Sequence, residues 1–197
     1  MSSPEEAVQA LESLAKTGST QASSPKGKVA FLFTGQGSQT LGMGQELVEL
    51  FPQFKASLSE IAAALDTYLE KPILEILFAA SDDAEAALLH ETAYTQPALF
   101  AYEVAIAKLW ESWGVMPDIL LGHSIGELSA AYLAGVMSLE DAAKLVCARG
   151  RLMQACPTGG AMMSIPASEE DVQKHLEDGV DIAAINGPRQ IVISGDA

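Results

Sequence analysis

Apolar residues fall in two rhythms along this chain. Val29-Ala30-Phe31-Leu32-Phe33 is short and unbroken, the texture of a strand buried on both faces of a parallel sheet, and the short apolar run from Asp118 to Leu121 reads as a second strand. Between them the spacing is helical in parts: one pattern ends near Pro52, and Gln96-Pro97 opens a long helix that Gly114 closes after Trp113. A nearly all-apolar helix follows the second strand to about Leu133. Gly135 ends it, and Ser138-Leu139-Glu140-Asp141 reads as a capping box that starts another helix. Strands alternating with helices predict an α/β fold with a largely parallel sheet.

The texture changes after Pro157-Thr158-Gly159-Gly160. A strand over 161–165, a charged helix over 168–177 and strands near 182–185 and 190–194 give a β-α-β-β order, the first part of a ferredoxin-like unit. At the other end, Ser3-Pro4-Glu5-Glu6 reads as a capping box before Ala7, Val8, Leu11, Leu14 and Ala15 at helical spacing. The Gly/Ser/Thr/Pro-rich stretch from Thr17 to Lys28 reads as a linker.

The junction of the second strand with its helix is Gly122-His123-Ser124-Ile125-Gly126. Gly-x-Ser-x-Gly between a strand and a helix matches a nucleophile elbow, whose serine hydroxyl is exposed on a tight, strained turn. The predicted architecture is therefore a parallel-sheet, hydrolase-like large subdomain over 29–158. The start of a ferredoxin-like small subdomain, expected to be incomplete, covers 159–197, and the linker with its short helix covers 1–28.

Charge narrows the partners. With 11 Lys+Arg against 26 Asp+Glu, the 197-residue chain carries a formal net charge of -15, which argues against nucleic acid and anionic membrane surfaces. No apolar run reaches bilayer-spanning length, and Met1 to Glu6 lacks the basic and apolar regions of a secretory signal. Two cysteines, Cys147 and Cys156, with no His or Cys cluster beside them, suggest neither a disulfide framework nor a metal site. They fit a reduced cytoplasm.

Three features join Ser124. Gly35-Gln36-Gly37-Ser38-Gln39 leaves the first strand at the sheet edge where α/β ligands bind, so a backbone N–H there and that of Ile125 could form a two-donor oxyanion hole; a plain tight turn or a weak phosphate cradle is the alternative. Arg149 sits amid an apolar stripe of Ala142, Leu145, Val146, Leu152 and Met153. It must reach water by its long stem or meet an anion, either an internal carboxylate, which spacing alone favours, or a substrate's. Gln96, just ahead of the expected helix start, could line a polar pocket or serve as a cap. His123 adjoins the nucleophile but is expected to point elsewhere, and His90 and His175 read as solvated, so no base for Ser124 is evident.

Phe33-Thr34-Gly35-Gln36-Gly37-Ser38-Gln39, Tyr94-Thr95-Gln96-Pro97-Ala98-Leu99, Gly122 to Glu127 and Arg149-Gly150-Arg151-Leu152-Met153-Gln154 together resemble the acyltransferase domains of modular type I polyketide synthases. These are relatives of malonyl-CoA:acyl carrier protein transacylase. Asn186-Gly187-Pro188 and Val192-Ile193-Ser194-Gly195 resemble that family's small subdomain. The resemblance implies ping-pong transfer: Ser124 takes the acyl group from an acyl-CoA as an ester, and the phosphopantetheine thiol of an acyl carrier protein then removes it. It assigns the oxyanion to the N–H groups of Gln36 and Ile125. A malonyl carboxylate falls to Arg149, and the pocket lining to Gln96 and His123. Tyr94-Thr95-Gln96 and Ile125 look like malonyl-selecting members. Malonyl-CoA is then a substrate, and neither a metal nor a tightly bound cofactor is expected.

The family's catalytic histidine comes later after the serine than this sequence extends. The chain is therefore expected to be the N-terminal portion of such a domain, partnered by its C-terminal part and by neighbouring synthase domains, and inactive or nearly so alone. Two rival readings remain: a serine esterase or patatin-like hydrolase, which would not want a carboxylate-binding arginine, and an inactive truncated scaffold.

Overall fold

A computed structural model describes residues 27–196 together with Glu12. The helix expected over the first fifteen residues and most of the linker lie outside the described residues. Strand β1 (Ala30–Phe33) is followed by a turn-rich segment and five helices: α1 (Gln45–Leu50), α2 (Pro52–Asp66), α3 (Ile73–Leu77), α4 (Ala84–Leu88) and α5 (Thr92–Ser112). Then come β2 (Ile119–Gly122), α6 (Gly126–Leu133) and α7 (Leu139–Gln154). The final stretch is β3 (Gly160–Ile165), α8 (Glu169–Gln173), β4 (Val180–Gly187) and β5 (Gln190–Asp196).

Strands β1 and β2 pair in parallel, Ala30 beside Ile119 and Phe33 beside Gly122, so the turns after both strands open on the same sheet edge. The fold is α/β with a parallel sheet, as the alternation of patterns predicts. The expectation that β1 is buried on both faces fails: Phe33 is buried, but Leu32 is 71% exposed, as are large parts of Ile119 and Leu121. Periodicity marks an apolar strand without saying what covers it, and no described element packs on that face.

The core is helical. Phe54, Leu58, Ile61 and Leu65 recur at helical spacing along α2 and close against Ile73, Ile76 and Leu77 of α3, Phe100 and Val104 of α5 and Val146 of α7. Each large side chain buried there contributes about 1.5–3 kcal/mol. Pro52 opens α2 at its first position, where its missing N–H costs nothing. Ser138 caps α7 as its sequence predicts, its Oγ accepting from the Asp141 N–H at 3.1 Å. The stripe expected on α7 is corrected. The buried residues are Ala142, Ala143, Val146, Cys147 and Gly150, while Leu145, Leu152 and Met153 are exposed.

The second sheet is antiparallel, with order β3-β5-β4. Within it and α8 only Val172 and Ile191 are buried, and Met162 and Met163 are each more than 60% exposed. Among the described residues, no helix is long and apolar enough to cross a membrane.

Candidate active site

Ser124 ends the turn between β2 and α6 with φ of 55°, and it is the one non-glycine residue in the left-handed region among those described. Such a conformation costs on the order of 1–3 kcal/mol and persists only where its surroundings enforce it. They do here. A Cβ on residue 122 would lie 2.1 Å from the Glu127 nitrogen, and one on residue 126 would lie 2.4 Å from the Thr34 carbonyl oxygen. Only glycine admits both approaches. The His123 N–H donates to the Phe33 carbonyl at 2.9 Å, and the Gly122 N–H to Glu127 Oε2 at 3.1 Å, so the elbow is tied to both strand and helix.

The loop after β1 rests on that elbow. Gly35 lies against His123, where a Cβ would come within 2.5 Å of the ring. Thr34 donates through its N–H (2.7 Å) and its Oγ1 (2.8 Å) to Oε1 of Glu103 on α5. Ser129 of α6 donates to the other carboxylate oxygen at 2.7 Å. Glu103 is buried, and that burial pushes its carboxyl above the usual carboxylate range, with the bonds from Ser129 and Thr34 pulling the other way. The Gln36 side chain donates to Thr92 Oγ1 at 3.0 Å. Neither the Gln36 nor the Ile125 N–H donates to a protein acceptor among the described residues.

Arg149, half-buried on α7, reaches the serine. Its Nη2 donates to Ser124 Oγ at 3.1 Å, and its Nη1 donates to Oε1 of Gln96. Gln96 is fully buried and donates in turn to the Met153 sulfur at 3.2 Å. One helix thus grips Gln96 twice, through residues one turn apart. The approach depends on Gly150, where a Cβ would sit 3.0 Å from the Thr92 carbonyl oxygen. Two expectations are corrected. Gln96 is no cap, because α5 begins at Thr92 and carries Pro97 inside it. Arg149 has no ion-pair carboxylate among the described residues, which removes the internal salt bridge that spacing favoured.

None of the histidines hydrogen-bonds Ser124. His123 Nε2 pairs with Asn186 Oδ1 at 3.0 Å, joining the elbow to β4; His90 lies beside Gln39, and His175 bonds the Asp171 carbonyl. Burial holds the Cys147 thiol up at about 12, so it stays protonated at neutral pH. Sequence reasoning missed Glu103 and the sulfur partner of Gln96. Glu103 had a signal: it is the single charged residue between Ala93 and Ala107.

Residues 30–197 match the model of the acyl transferase domain family. The polyketide synthase GfsA of Streptomyces halstedii is 53% identical over 174 residues, covering 86% of this chain and 2% of that protein. The hybrid synthetase acdB of Aspergillus candidus is 52% identical over 183 residues, 90% of this chain and 7% of that protein. The acyltransferase domain from the second module of the salinomycin polyketide synthase superposes with TM-score 0.81 at 46% identity, covering all of this chain and 47% of that one. A malonyl-CoA:acyl carrier protein transacylase of Xanthomonas oryzae gives 0.75 at 40%, with 86% and 55% covered. The chain thus spans about half the length of these solved structures and a small fraction of the synthases. Matched by this family's model over residues 30–197 and about half identical to these synthases over most of its length, this chain belongs to the acyl transferase domain family.

Proposed function

We propose that the chain is the serine-bearing part of a polyketide-synthase acyltransferase that moves a malonyl unit from CoA to an acyl carrier protein through an ester on Ser124. The observation that carries the reading is the Arg149 guanidinium 3.1 Å from Ser124 Oγ, oriented by a fully buried Gln96 and free of any carboxylate among the described residues. In a malonyl ester, one methylene separates the ester carbonyl from the free carboxylate. A guanidinium touching the serine oxygen is at the right reach for that carboxylate, and its planar fork suits it.

In the first half-reaction Ser124 Oγ attacks the thioester carbonyl, and the C–S bond breaks as the CoA sulfur leaves and takes up the serine's proton. The N–H groups of Gln36 and Ile125, which have no protein acceptor among the described residues, are assigned to the oxyanion, each such donor being worth about 3 kcal/mol of barrier. The second half runs the same steps backwards, with a phosphopantetheine thiol as nucleophile. Arginine cannot serve as base at neutral pH, and no histidine here bonds Ser124, so the proton acceptor is assigned to a part of the domain outside this sequence. His123, held by Asn186, is assigned to lining the site.

Residues 29–158 form the large subdomain in this reading, and 159–197 begin the small one. Its support is the β3-β5-β4 order, in which the helix-linked strands β3 and β4 flank β5 as in a split βαβ unit. Free Cys147 and Cys156 fit a cytoplasmic setting. The test is intact-protein mass after incubating the complete domain, this chain together with the part that supplies the proton acceptor, with malonyl-CoA and with acetyl-CoA. A malonyl adduct on the wild type, absent from Ser124→Ala and cut by about 100-fold in Arg149→Ala, is expected. A malonyl adduct that survives Ser124→Ala overturns the serine assignment, and equal loss of malonyl and acetyl loading in Arg149→Ala overturns the carboxylate role.

A further inference from the structure

The serine and its arginine leave one buried ionisable group unused. Glu103 stands in the middle of α5, 6% exposed, in a helix face otherwise committed to the core. A carboxylate there is costly unless its oxygens are bonded, and both are. The partners belong to two separate segments. Oε1 accepts from the N–H and the hydroxyl of Thr34, two residues ahead of Gln36, and Oε2 accepts from Ser129, four residues beyond Ile125 on the helix that the elbow starts. A second contact holds the same two segments together from the other side, where Gly126 lies against the Phe33 and Thr34 carbonyls too closely for any Cβ.

We infer that Glu103 is a positioning residue that fixes the spacing between the Gln36 and Ile125 backbone N–H groups by clamping the loop after β1 to the helix after Ser124. The inference rests on the acyltransferase reading, in which those two groups meet the oxyanion. An oxyanion hole works only if both donors are in place before charge develops, and a displacement of about 1 Å costs on the order of 100-fold in rate. Glu103 touches no reacting atom. Its carboxylate bridges the Thr34 N–H and hydroxyl on the loop to the Ser129 hydroxyl on the helix, leaving the Gln36 and Ile125 N–H groups out of the link. Thr34 reinforces the arrangement, since its hydroxyl also pairs with Ser38 Oγ at 2.7 Å and so ties the far side of the loop to the same carboxylate.

The test compares wild type, Glu103→Ala and Glu103→Gln by amide hydrogen exchange in this chain and by the rate of Ser124 loading from malonyl-CoA in the complete domain. Glu103→Ala is expected to speed exchange in 34–39 and 124–129 while α2 and α3 keep wild-type protection. It lowers the maximal loading rate on the order of 100-fold, with the half-saturating malonyl-CoA concentration within about two-fold of wild type. Glu103→Gln, whose amide oxygen still accepts from Thr34 and whose amide nitrogen can donate to Ser129, restores slow exchange in both segments. Unchanged exchange in Glu103→Ala overturns the inference, as does acceleration spread evenly over α2 and α5, which would mark an ordinary core residue. So does Glu103→Gln exchanging as fast as Glu103→Ala. A complete wild-type domain that takes up no malonyl group sinks the acyl-enzyme reading, and the exchange comparison then decides the clamp by itself.

Discussion

The helical layer and the small antiparallel sheet meet at Ser124, and they are held together in different ways. The layer of α2, α3, α5 and α7 satisfies its backbone within each helix and buries a continuous apolar cluster, with Phe54, Ile61, Leu65, Ile73, Ile76 and Phe100 fully inaccessible. The sheet of β3, β5 and β4 bonds its strands to one another and buries almost nothing. Its hold on the rest includes a single side-chain pair at the elbow, His123 with Asn186. A helix is locally self-sufficient, whereas a sheet face stays bare until something packs on it. Burial among the described residues is therefore concentrated in the first region.

The largest test of that contrast is truncation in each region. Phe100→Ala should cost about 3–5 kcal/mol in urea unfolding, while Met163→Ala, at a 63% exposed position, should stay within about 0.5 kcal/mol. Similar losses at both sites would mean that the small sheet shares the core's cooperativity. A finer test uses one chemistry twice. Ser138 and Ser168 cap α7 and α8 alike, each accepting from an aspartate N–H at 3.1 and 3.2 Å. Ser138→Ala should lower global stability by about 1 kcal/mol. Ser168→Ala should leave the main transition in place and show itself as faster amide exchange over 168–174.

The smallest effect is electrostatic and belongs to the helical layer alone. Burial raises the Glu103 carboxyl in the folded chain above its unfolded value. At pH above the raised folded value the carboxyl is charged in both states, and the folded chain bears the full burial penalty. As pH falls through that value the folded form takes the proton first, so this group's contribution to stability rises, and it levels off below the ordinary carboxylate range. Wild type should therefore gain stability relative to Glu103→Gln between neutral pH and about pH 4.5. A difference that is flat with pH would place Glu103 in a solvated setting.

Much of the site was legible because backbone crowding leaves a mark in sequence. Gly122 and Gly126 are glycines for want of space, and the Ser138 cap declares itself through Asp141 three residues on. Gln96 was misplaced because Pro97 looks like a helix opening. In fact the chain enters α5 one turn earlier, and the proline is tolerated near that end. Arg149 stood out as a charge on an apolar stripe, yet the stripe itself was wrong: Leu152 faces solvent, and the buried positions are small. Periodicity fixes which residues share a helix face. It is silent on which face meets a neighbour, and so it could not show Thr34 and Ser129 converging on Glu103 from segments far apart in sequence.

The bond from Arg149 to Ser124 also bears on how a ligand is admitted. The guanidinium is partnered on both arms, by Gln96 and by the Ser124 hydroxyl. On the acyltransferase reading, an incoming carboxylate exchanges one hydrogen bond for a stronger, charge-assisted one and frees the hydroxyl in the same move. A neutral acyl group offers the arginine nothing, and leaves it where it is. On that reading discrimination rests on the charge of the acyl group, because a carboxylate competes with the serine oxygen for the arginine and a neutral group does not.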